Sequence, residues 1–213
     1  MNIGTYFILA AIGGYLLGSI PFGLVLTKIC GLGDIRKIGS GNIGATNVLR
    51  TGRKDLALLT VILDASKAGI AALIAQAYAP EGFCSILGFI STVPVVSGLI
   101  AGVMGVIGHN FPIWLKFKGG KGVASGFGFI VATQAQLGLI ALGVWLITAF
   151  TTRYSSLSAI LACLSVPVFA FFLSDPVHAI FYSAIALLVL IRHHANIVRL
   201  YKGTESKISF KKK

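Results

Sequence analysis

Long apolar segments alternate with short polar ones along this chain of 213 residues. The apolar segments run to roughly 17–25 residues, the length that an α-helix needs to cross a bilayer core of about 30 Å. A transmembrane β-barrel would instead show short segments of alternating polarity. The pattern therefore predicts an all-α fold, a polytopic transmembrane helical bundle. Because no repeat period is visible, we expect a single integral-membrane domain over residues 1–213.

The composition agrees with this fold class, with 56% hydrophobic and 11% charged residues and a mean hydropathy of +0.90. In a soluble protein the net charge of +12 would suggest nucleic acid as a partner. In a membrane protein the excess of basic residues in cytoplasmic loops explains most of it. We therefore expect no nucleic acid, and we expect membrane lipids and anionic substrates as partners. The first segment has no Lys or Arg before Lys28, so a cleaved signal peptide is not expected.

The distribution of Lys and Arg among the loops predicts the topology. The loop after the first apolar segment carries many cations and should be cytoplasmic, whereas the loop around Glu81 has none and should be external. A polar break at 133–136 divides the next long apolar stretch, which brings the basic C-terminal tail into the cytoplasm. Pro94 is expected to bend the third span or to separate a short lead-in helix. The prediction is about seven spans, with the N-terminus out and the C-terminus in, over residues 5–26, 56–79, 83–107, 122–132, 137–151, 155–173 and 177–191.

Three polar islands, at residues 39–50, 108–125 and 192–205, carry most of the chain's candidate chemistry. Each combines glycine backbone, cationic side chains and neutral hydrogen-bonding groups, with almost no carboxylates. This combination favours sites for phosphate groups. The predicted topology places all three islands on the cytoplasmic face.

The first island contains Gly39, Gly41 and Gly44 in a G-x-G-x-x-G pattern. It follows a membrane helix and not a strand, so it does not indicate a dinucleotide site. Its remaining chemistry favours an anion-binding loop in which Arg50 holds a phosphate bidentately. The alternative is a flexible, positively flanked cytoplasmic loop. The candidate phosphate ligands here are Asn42, Thr46, Asn47 and Arg50.

The second island contains Gly119, Gly120, Lys121 and Gly122, which resemble part of a P-loop. The P-loop pattern fails because Leu115 and Gly122 stand where it needs glycine and a hydroxyl. Lys121 lies between glycines at the start of a predicted helix, a suitable place for a phosphate oxygen. An ordinary juxtamembrane lysine is the alternative. For His109, at the end of the preceding span, a structural hydrogen bond is the favoured role.

A helix that continues from the last span would bring the polar groups of the third island onto one face. These groups are Arg192, His193, Asn196 and Arg199. Glu205 follows Gly203, which is a suitable helix stop. The alternative is a solvated basic end of the last helix.

Two charged residues, Asp64 and Lys67, lie within the second predicted span. Charge at that depth is costly unless it is paired. We favour a mutual ion pair that braces the helix below the site over direct contact with substrate. Ser156, near Arg153, could reach the site or could cap the next helix.

The islands read GSGNIGATNVLR, GHNFPIWLKFKGGKGVAS and RHHANIVRLYKGTE. They resemble, in order and over essentially the whole chain, the three signature motifs of the bacterial acyl-phosphate:glycerol-3-phosphate acyltransferases. Ser125 departs mildly, since threonine is more usual there. The resemblance implies a seven-helix enzyme of the cell inner membrane that works on the cytoplasmic face. It implies acyl transfer from acyl phosphate to the 1-hydroxyl of sn-glycerol 3-phosphate, which gives lysophosphatidic acid and phosphate, the first committed step of bacterial phospholipid biosynthesis.

The resemblance further implies no cofactor, no metal and a functional link to an enzyme that produces acyl phosphate; it leaves the oligomeric state open. The phosphates would lie on Arg50, Lys121 and the loop N–H groups around Thr46 and Gly120. Gly119 and Gly122 would complete the phosphate-binding loop. Ser40, His193 and Asn196 would line the reacting centre, with His193 or a substrate phosphate oxygen as the base. Because the donor is already activated, Ser40 is expected to donate hydrogen bonds during direct transfer in a ternary complex. The residues expected to support the site are Asp64, Lys67, Ser156, Arg199 and Glu205.

Two other classes of protein remain as alternatives. A transporter or channel for phosphorylated metabolites would need charges through the membrane depth, whereas here only Asp64 and Lys67 lie deep. A non-catalytic scaffold for anionic lipids would not need loops rich in Ser, Asn and Gly. The sequence also lacks the H-x-x-x-x-D dyad of thioester-using glycerolipid acyltransferases, a G-x-S-x-G elbow and a cluster with metal-ligand spacing.

The charge distribution gives a topology test. A reporter fused after Lys213 should be cytoplasmic, and one fused before Asn2 should be external, as measured by compartment-specific reporter activity. Two termini on the same side of the membrane would contradict the count of seven spans.

Overall fold

The computed structural model describes residues 2–39 and 41–208. The chain divides into two compact units, Met1–Thr133 and Gln134–Lys213. Each unit is described by itself below. The single domain expected from the sequence stays a prediction.

Within the described residues, the first unit contains six α-helices, short 3-10 turns and a β-hairpin. The hairpin strands are β1 (Phe83–Ile86) and β2 (Phe89–Thr92), and they pair antiparallel. The helices are α1 (Ile3–Gly18), α2 (Phe22–Ile29), α3 (Ala45–Val48), α4 (Lys54–Ala77), α5 (Val93–Asn110) and α6 (Val123–Thr133).

Small residues let the long helices of this unit approach closely. A Cβ added at Gly14 or Gly18 of α1 would collide with the backbone of Ala101 or Gly105 in α5. A Cβ at Gly102 of α5 would likewise collide with the ring of Phe129 in α6. Close backbone approach maximises van der Waals contact where lipid removes the hydrophobic driving force between helices. These glycines therefore pack helices of the same chain against one another.

A break at Ser19–Pro21 divides the first predicted span into α1 and α2. Proline cannot donate a backbone hydrogen bond, so the helix cannot continue unchanged through Pro21. The carbonyl of Ile20 at this break accepts a hydrogen bond of 2.8 Å from Lys67 Nζ in α4. A polar side chain from a neighbouring helix thus satisfies backbone freed by the break, as irregular backbone at membrane depth requires.

The hairpin corrects the predicted third span. The sequence predicted a helix over 83–107, bent or with a helical lead-in, but residues 83–92 form β1 and β2 and the helix begins at Val93. The strands are rich in aromatic and β-branched residues, and Leu87 and Gly88 between them both have positive φ. These features favour a tight hairpin over a helical turn. The Thr92 side chain then caps α5 by accepting from the N–H of Val95.

In the described part of the second unit there are four α-helices. They are α7 (Ala135–Thr152), α8 (Ser155–Leu173), α9 (Pro176–Arg192) and α10 (His194–Tyr201). Helix α8 packs against both α7 and α9, and α10 contacts both α8 and α9. The polar break predicted at 133–136 is confirmed, because α6 ends at Thr133 and α7 begins at Ala135.

The last predicted helix is also broken. The axes of α9 and α10 differ by 59°, and His193 lies between them with non-helical backbone angles. The prediction of one continuous helix through the third island is therefore wrong. Gly203, with φ of +68°, follows α10 in the left-handed conformation expected of a helix stop.

Helices lie at all seven predicted span positions within the described residues. Five of these segments are long and apolar enough to cross a membrane, and α9 with α10 would make a sixth. Helix α6 has 11 residues, which at about 1.5 Å each give roughly 17 Å, short of a bilayer core of about 30 Å. Seven full spans and the sidedness of the termini stay predictions.

Candidate active site

The first island folds around the side chain of Asn47, which is buried. Its Nδ2 donates to the carbonyls of Ile35 and Ile38 at 2.7 and 3.0 Å, and its Oδ1 accepts from Arg50 Nη1 at 3.0 Å. An amide has two N–H donors, so both are engaged within the loop. We correct the sequence prediction for Asn47: it holds the loop and orients Arg50, and it has no donor left for phosphate.

Arg50 is exposed at the end of the island, and its side chain lies over Gly39. A Cβ at Gly39 would collide with the guanidinium group, and the φ of Gly39 is +54°. Glycine is therefore required there both for backbone angle and for space. With one Nη held by Asn47, the guanidinium keeps further donors for a planar, bidentate anion contact.

Asn42 and Thr46, the other predicted phosphate ligands of this island, lie in different settings. Asn42 Oδ1 accepts from the N–H of Gly44 at 3.3 Å, so part of its side chain shapes the loop. Thr46 is exposed on α3. Phosphate contacts by both stay predictions. Ser40 lies outside the described residues.

A carboxylate supports the start of this loop. Asp34 accepts hydrogen bonds from Arg36 at 2.6–3.1 Å and caps the 3-10 turn Ile35–Lys37, which presents the Ile35 carbonyl to Asn47. These hydrogen bonds, with the charge of Arg36, hold the pKa of Asp34 at about 2. Asp34 therefore stays ionised at any physiological pH, and the turn keeps its cap.

The glycines of the second island pack on the end of α5. The N–H of Gly119 donates to the carbonyl of Asn110 at 3.1 Å, and the N–H of Gly120 donates to the carbonyl of His109 at 3.0 Å. These donors are engaged inside the protein, so the prediction that Gly119 and Gly120 bind phosphate through their N–H groups is corrected. Their role in the structure is to place Lys121, which is half-buried directly before α6.

The backbone conformation of Gly122 also positions Lys121. Its φ is +81°, a conformation that favours glycine, and its carbonyl accepts from the N–H of Gly126 at 2.7 Å in the first turn of α6. Lys121 therefore precedes the N-terminal end of an 11-residue helix, where the partial positive charge favours anions.

Below this loop lies the ion pair predicted within the second span. Lys67 Nζ is 3.0 Å from Asp64 Oδ1, and the two side chains are 1% and 4% exposed. Nδ1 of His109 lies 3.6 Å from the same carboxylate oxygen. The predicted mutual pair is confirmed, and the structure adds His109 as a second neighbour of Asp64. The Ser125 hydroxyl of α6 donates to the Asp64 carbonyl at 2.7 Å.

In the second unit, the buried carboxylate of Glu205 gathers three side chains. Its Oε1 accepts from Ser156 Oγ and from Asn196 Nδ2, both at 2.7 Å, and its Oε2 accepts from Arg199 Nε at 2.6 Å. Burial works to raise the pKa of Glu205, but these hydrogen bonds outweigh burial, and the pKa is lowered. Glu205 is thus ionised and orients the three side chains around it. Ser156 donates its hydroxyl to this carboxylate and does not cap α8.

His193 occupies the kink between α9 and α10 and is buried. Its Nδ1 lies 2.8 Å from the carbonyl of Val189. A carbonyl can only accept, so Nδ1 carries a proton in this hydrogen bond, and whenever the ring is neutral the lone pair is on Nε2. This tautomer suits a base at Nε2. Sequence reasoning anticipated the residue but not the kink that holds it.

Comparison with known proteins decides the family of the chain. Residues 8–203 match the family model described as glycerol-3-phosphate acyltransferase. The chain belongs to the glycerol-3-phosphate acyltransferase family. Its relatives of that name include a Rhodospirillum rubrum protein, 57% identical over 203 residues, with 95% of this chain and 91% of the relative covered. A Mesorhizobium japonicum relative is 51% identical over 204 residues, with 96% and 97% covered.

Two crystal structures resemble the fold closely. They are the glycerol 3-phosphate form and the lysophosphatidic acid form of PlsY, an integral membrane glycerol 3-phosphate acyltransferase. The TM-scores are 0.83 and 0.82 at 37% identity, with 95% of this chain and 96% and 95% of those chains covered. The comparisons confirm the predicted family and the helical, integral-membrane fold class.

Replacing Glu205 tests the organising role of its carboxylate. We expect Glu205→Ala to lower the free energy of unfolding by about 1–3 kcal/mol, because buried Asn196 and Ser156 lose their acceptor. Thermal unfolding in detergent measures this loss, and Glu81→Gln, at an exposed carboxylate, is the matched control.

The stabilisation of the folded protein by Glu205 should decrease as the pH falls. The pKa of Glu205 is lower in the folded protein, so its stabilisation is fully present above the unfolded value of about 4.3 and disappears as the pH falls through the folded value. The difference between wild type and Glu205→Gln should therefore shrink on acidification below about pH 4. A difference that grows on acidification would refute the assignment.

Proposed function

We propose that this chain transfers an acyl group from an acyl phosphate to the 1-hydroxyl of sn-glycerol 3-phosphate. The products are 1-acyl-sn-glycerol 3-phosphate, a lysophosphatidic acid, and inorganic phosphate. The reaction uses no metal and no cofactor. It takes place at the cytoplasmic face of the bacterial inner membrane as the first committed step of phospholipid synthesis, downstream of an enzyme that makes acyl phosphate.

The observation that carries the proposal is the placement of Arg50 and Lys121. Each stands on a loop where glycine is required, and each loop is held by hydrogen bonds within the protein. Both substrates bear phosphate, so two preorganised cations match the charge of the reactants. The PlsY structures in glycerol 3-phosphate and lysophosphatidic acid forms support the same acceptor and product.

An activated donor fits the chemical groups that the chain offers. The acceptor hydroxyl oxygen attacks the acyl carbonyl carbon, the carbon–oxygen bond to phosphate breaks, and phosphate leaves with the electron pair. The protein must align the reactants and stabilise the charge that develops on the carbonyl oxygen. It does not need a strongly activated nucleophile, which agrees with the absence of an H-x-x-x-x-D dyad from the sequence.

His193 and Asn196 of the second unit are the groups that we propose for acyl transfer. Glu205 fixes Asn196 through Nδ2, which leaves the amide oxygen in a defined orientation. His193 offers Nε2 as the acceptor for the hydroxyl proton. A phosphate oxygen of the substrate is the other acceptor for that proton, and it needs no residue at all. Ser40 is proposed as a hydrogen-bonding group for direct transfer.

Purified protein supplied with acyl phosphate and glycerol 3-phosphate tests the proposal. We expect lysophosphatidic acid and phosphate in equal amounts, without CoA, acyl carrier protein or added metal, as measured by mass spectrometry and phosphate release. Initial-velocity lines should intersect, because both substrates are bound when transfer occurs. Equal turnover with acyl-CoA would contradict the proposed donor, and ping-pong kinetics or an acyl-Ser40 adduct would contradict direct transfer.

Substitution of Arg50 and Lys121 tests whether these two cations bind the phosphate groups of the substrates. Arg50→Ala and Lys121→Ala should each lower kcat/KM by the equivalent of about 2–5 kcal/mol, because a bound phosphate loses its charged partner. Lys121→Arg should restore only part of the kcat/KM that Lys121→Ala loses, since the space between the glycines suits the compact ammonium group and not a planar guanidinium. Lys118→Ala, at an exposed position of the same loop, is the control that should change little. Normal kinetics in the two alanine variants would remove Arg50 and Lys121 from the site.

A further inference from the structure

We propose that His109 is a positioning residue for the reaction: it fixes the loop Gly119–Gly122, and therefore Lys121, by connecting that loop to the buried Asp64–Lys67 pair. This inference rests on the proposed function, because it concerns how Lys121 is held for phosphate. It assigns no substrate contact to His109 itself.

The first observation is the fit between His109 and the loop. A Cβ added at Gly120 would collide with His109 Nε2 and come within 2.8 Å of both neighbouring ring carbons. A Cβ added at Gly119 would collide with the His109 carbonyl oxygen and Pro112. The loop therefore lies directly against His109, closer than any residue with a side chain would permit.

The second observation is that His109 contacts the loop with both its backbone and its ring. Its carbonyl accepts from the N–H of Gly120 at 3.0 Å. Its ring, 5% exposed, forms the surface on which Gly120 packs. Rotation of the imidazole would therefore disturb the residue immediately before Lys121.

The third observation explains what prevents that rotation. Nδ1, on the side of the ring near Asp64, is 3.6 Å from Asp64 Oδ1, and that oxygen is 3.0 Å from Lys67 Nζ. Lys67 in turn donates to the Ile20 carbonyl at the break between α1 and α2. Burial lowers the effective dielectric constant and so strengthens the attraction between Asp64 and Lys67, and the imidazole ring packs between this pair and Gly120. The loop is thus connected through the His109 ring of α5 to α4 and, through Lys67, to the break between α1 and α2.

This arrangement predicts that substitutions at His109 and Lys121 are not independent. Residues that act through one another show coupling energies of about 0.5–3 kcal/mol, equivalent to roughly twofold to 150-fold in rate. If His109 serves only to place Lys121, its loss should matter only while Lys121 is present. A purely structural role would instead lower activity by the same factor in both backgrounds.

The test is a double-mutant cycle of His109→Ala and Lys121→Ala, with kcat and KM measured separately for each variant in the acyl-transfer assay. We expect His109→Ala to lower kcat/KM at least roughly tenfold in wild type and less than about twofold in Lys121→Ala. Multiplicative losses would overturn the inference. If His109→Ala does not fold, the cycle is run with His109→Asn, which keeps an N–H donor near the position of Nδ1 and is expected to show the same coupling.

A second cycle tests the contact itself. Gly120→Ala should lower kcat/KM because its methyl group meets the His109 ring. In His109→Ala the methyl group has room, so the same change should cost several-fold less. An equal cost in both backgrounds would show that the ring does not determine the loop position, and would overturn the inference.

The control is His178→Ala in the second unit. His178 is also buried beside a carboxylate, with Nδ1 at 2.6 Å from Asp175 Oδ2, so it reproduces the loss of a buried imidazole. Its effect should multiply with that of Lys121→Ala. The outcomes separate the two claims. Full activity of Lys121→Ala would contradict both the proposed phosphate-binding role of Lys121 and this inference. If Lys121→Ala is impaired but its effect and that of His109→Ala simply multiply, the inference alone is contradicted.

Discussion

A buried ion pair in the middle of α4 is the constraint on which the first unit depends. Asp64 and Lys67 are almost fully removed from solvent, and a charge left alone in such a place costs about 3–5 kcal/mol. Each therefore needs a partner. Lys67 lies 3.0 Å from Asp64 and also donates to the Ile20 carbonyl at the break between α1 and α2, and Nδ1 of His109 lies 3.6 Å from Asp64.

The two units use carboxylates in the same way. Asp64 in the first unit and Glu205 in the second are both buried, and each accepts or attracts several neighbours. Neither stands alone as an exposed acid or base. In both units the carboxylate orders the side chains that we assign to the chemistry, Lys121 through His109 in one and Asn196 directly in the other. This fits a reaction whose donor is already activated, for which placement matters more than nucleophile strength.

Much of the fold could be predicted from sequence because membrane helices leave strong signals. Apolar length located the helices, and the polar residues at 133–136 located the break between α6 and α7. The pairing of Asp64 with Lys67 followed from the cost of lone charge in lipid. The family resemblance, carried by the three polar islands, was confirmed by the comparisons. The individual phosphate contacts and the orientation in the membrane remain predictions.

The missed features depend on particular local contacts and backbone angles, which apolar length and composition do not specify. The segment Phe83–Thr92 is as apolar as a helix, and only its β-branched and aromatic residues around Leu87-Gly88 favoured a hairpin. Asn47 has the chemistry of a phosphate ligand, but the carbonyls of Ile35 and Ile38 take up its donors, which composition cannot reveal. Likewise the N–H groups of Gly119 and Gly120 bond to the end of α5, and the kink at His193 interrupts a stretch whose spacing suits one helix.

We infer that the buried pair holds the Lys121 loop for catalysis, and not only for stability. The most direct measurement compares Asp64→Leu, Lys67→Met and the double variant by thermal unfolding and by kcat/KM for glycerol 3-phosphate. The account predicts that each single variant is strongly destabilised, since one buried charge loses its partner. The double variant should recover much of that stability, as apolar replacement of a buried pair generally allows, but stay below wild type because the Ile20 carbonyl has lost its donor. It should remain impaired in kcat/KM because His109 has lost Asp64. Full activity in the double variant, or a Lys67→Met variant as stable as wild type, would contradict the account.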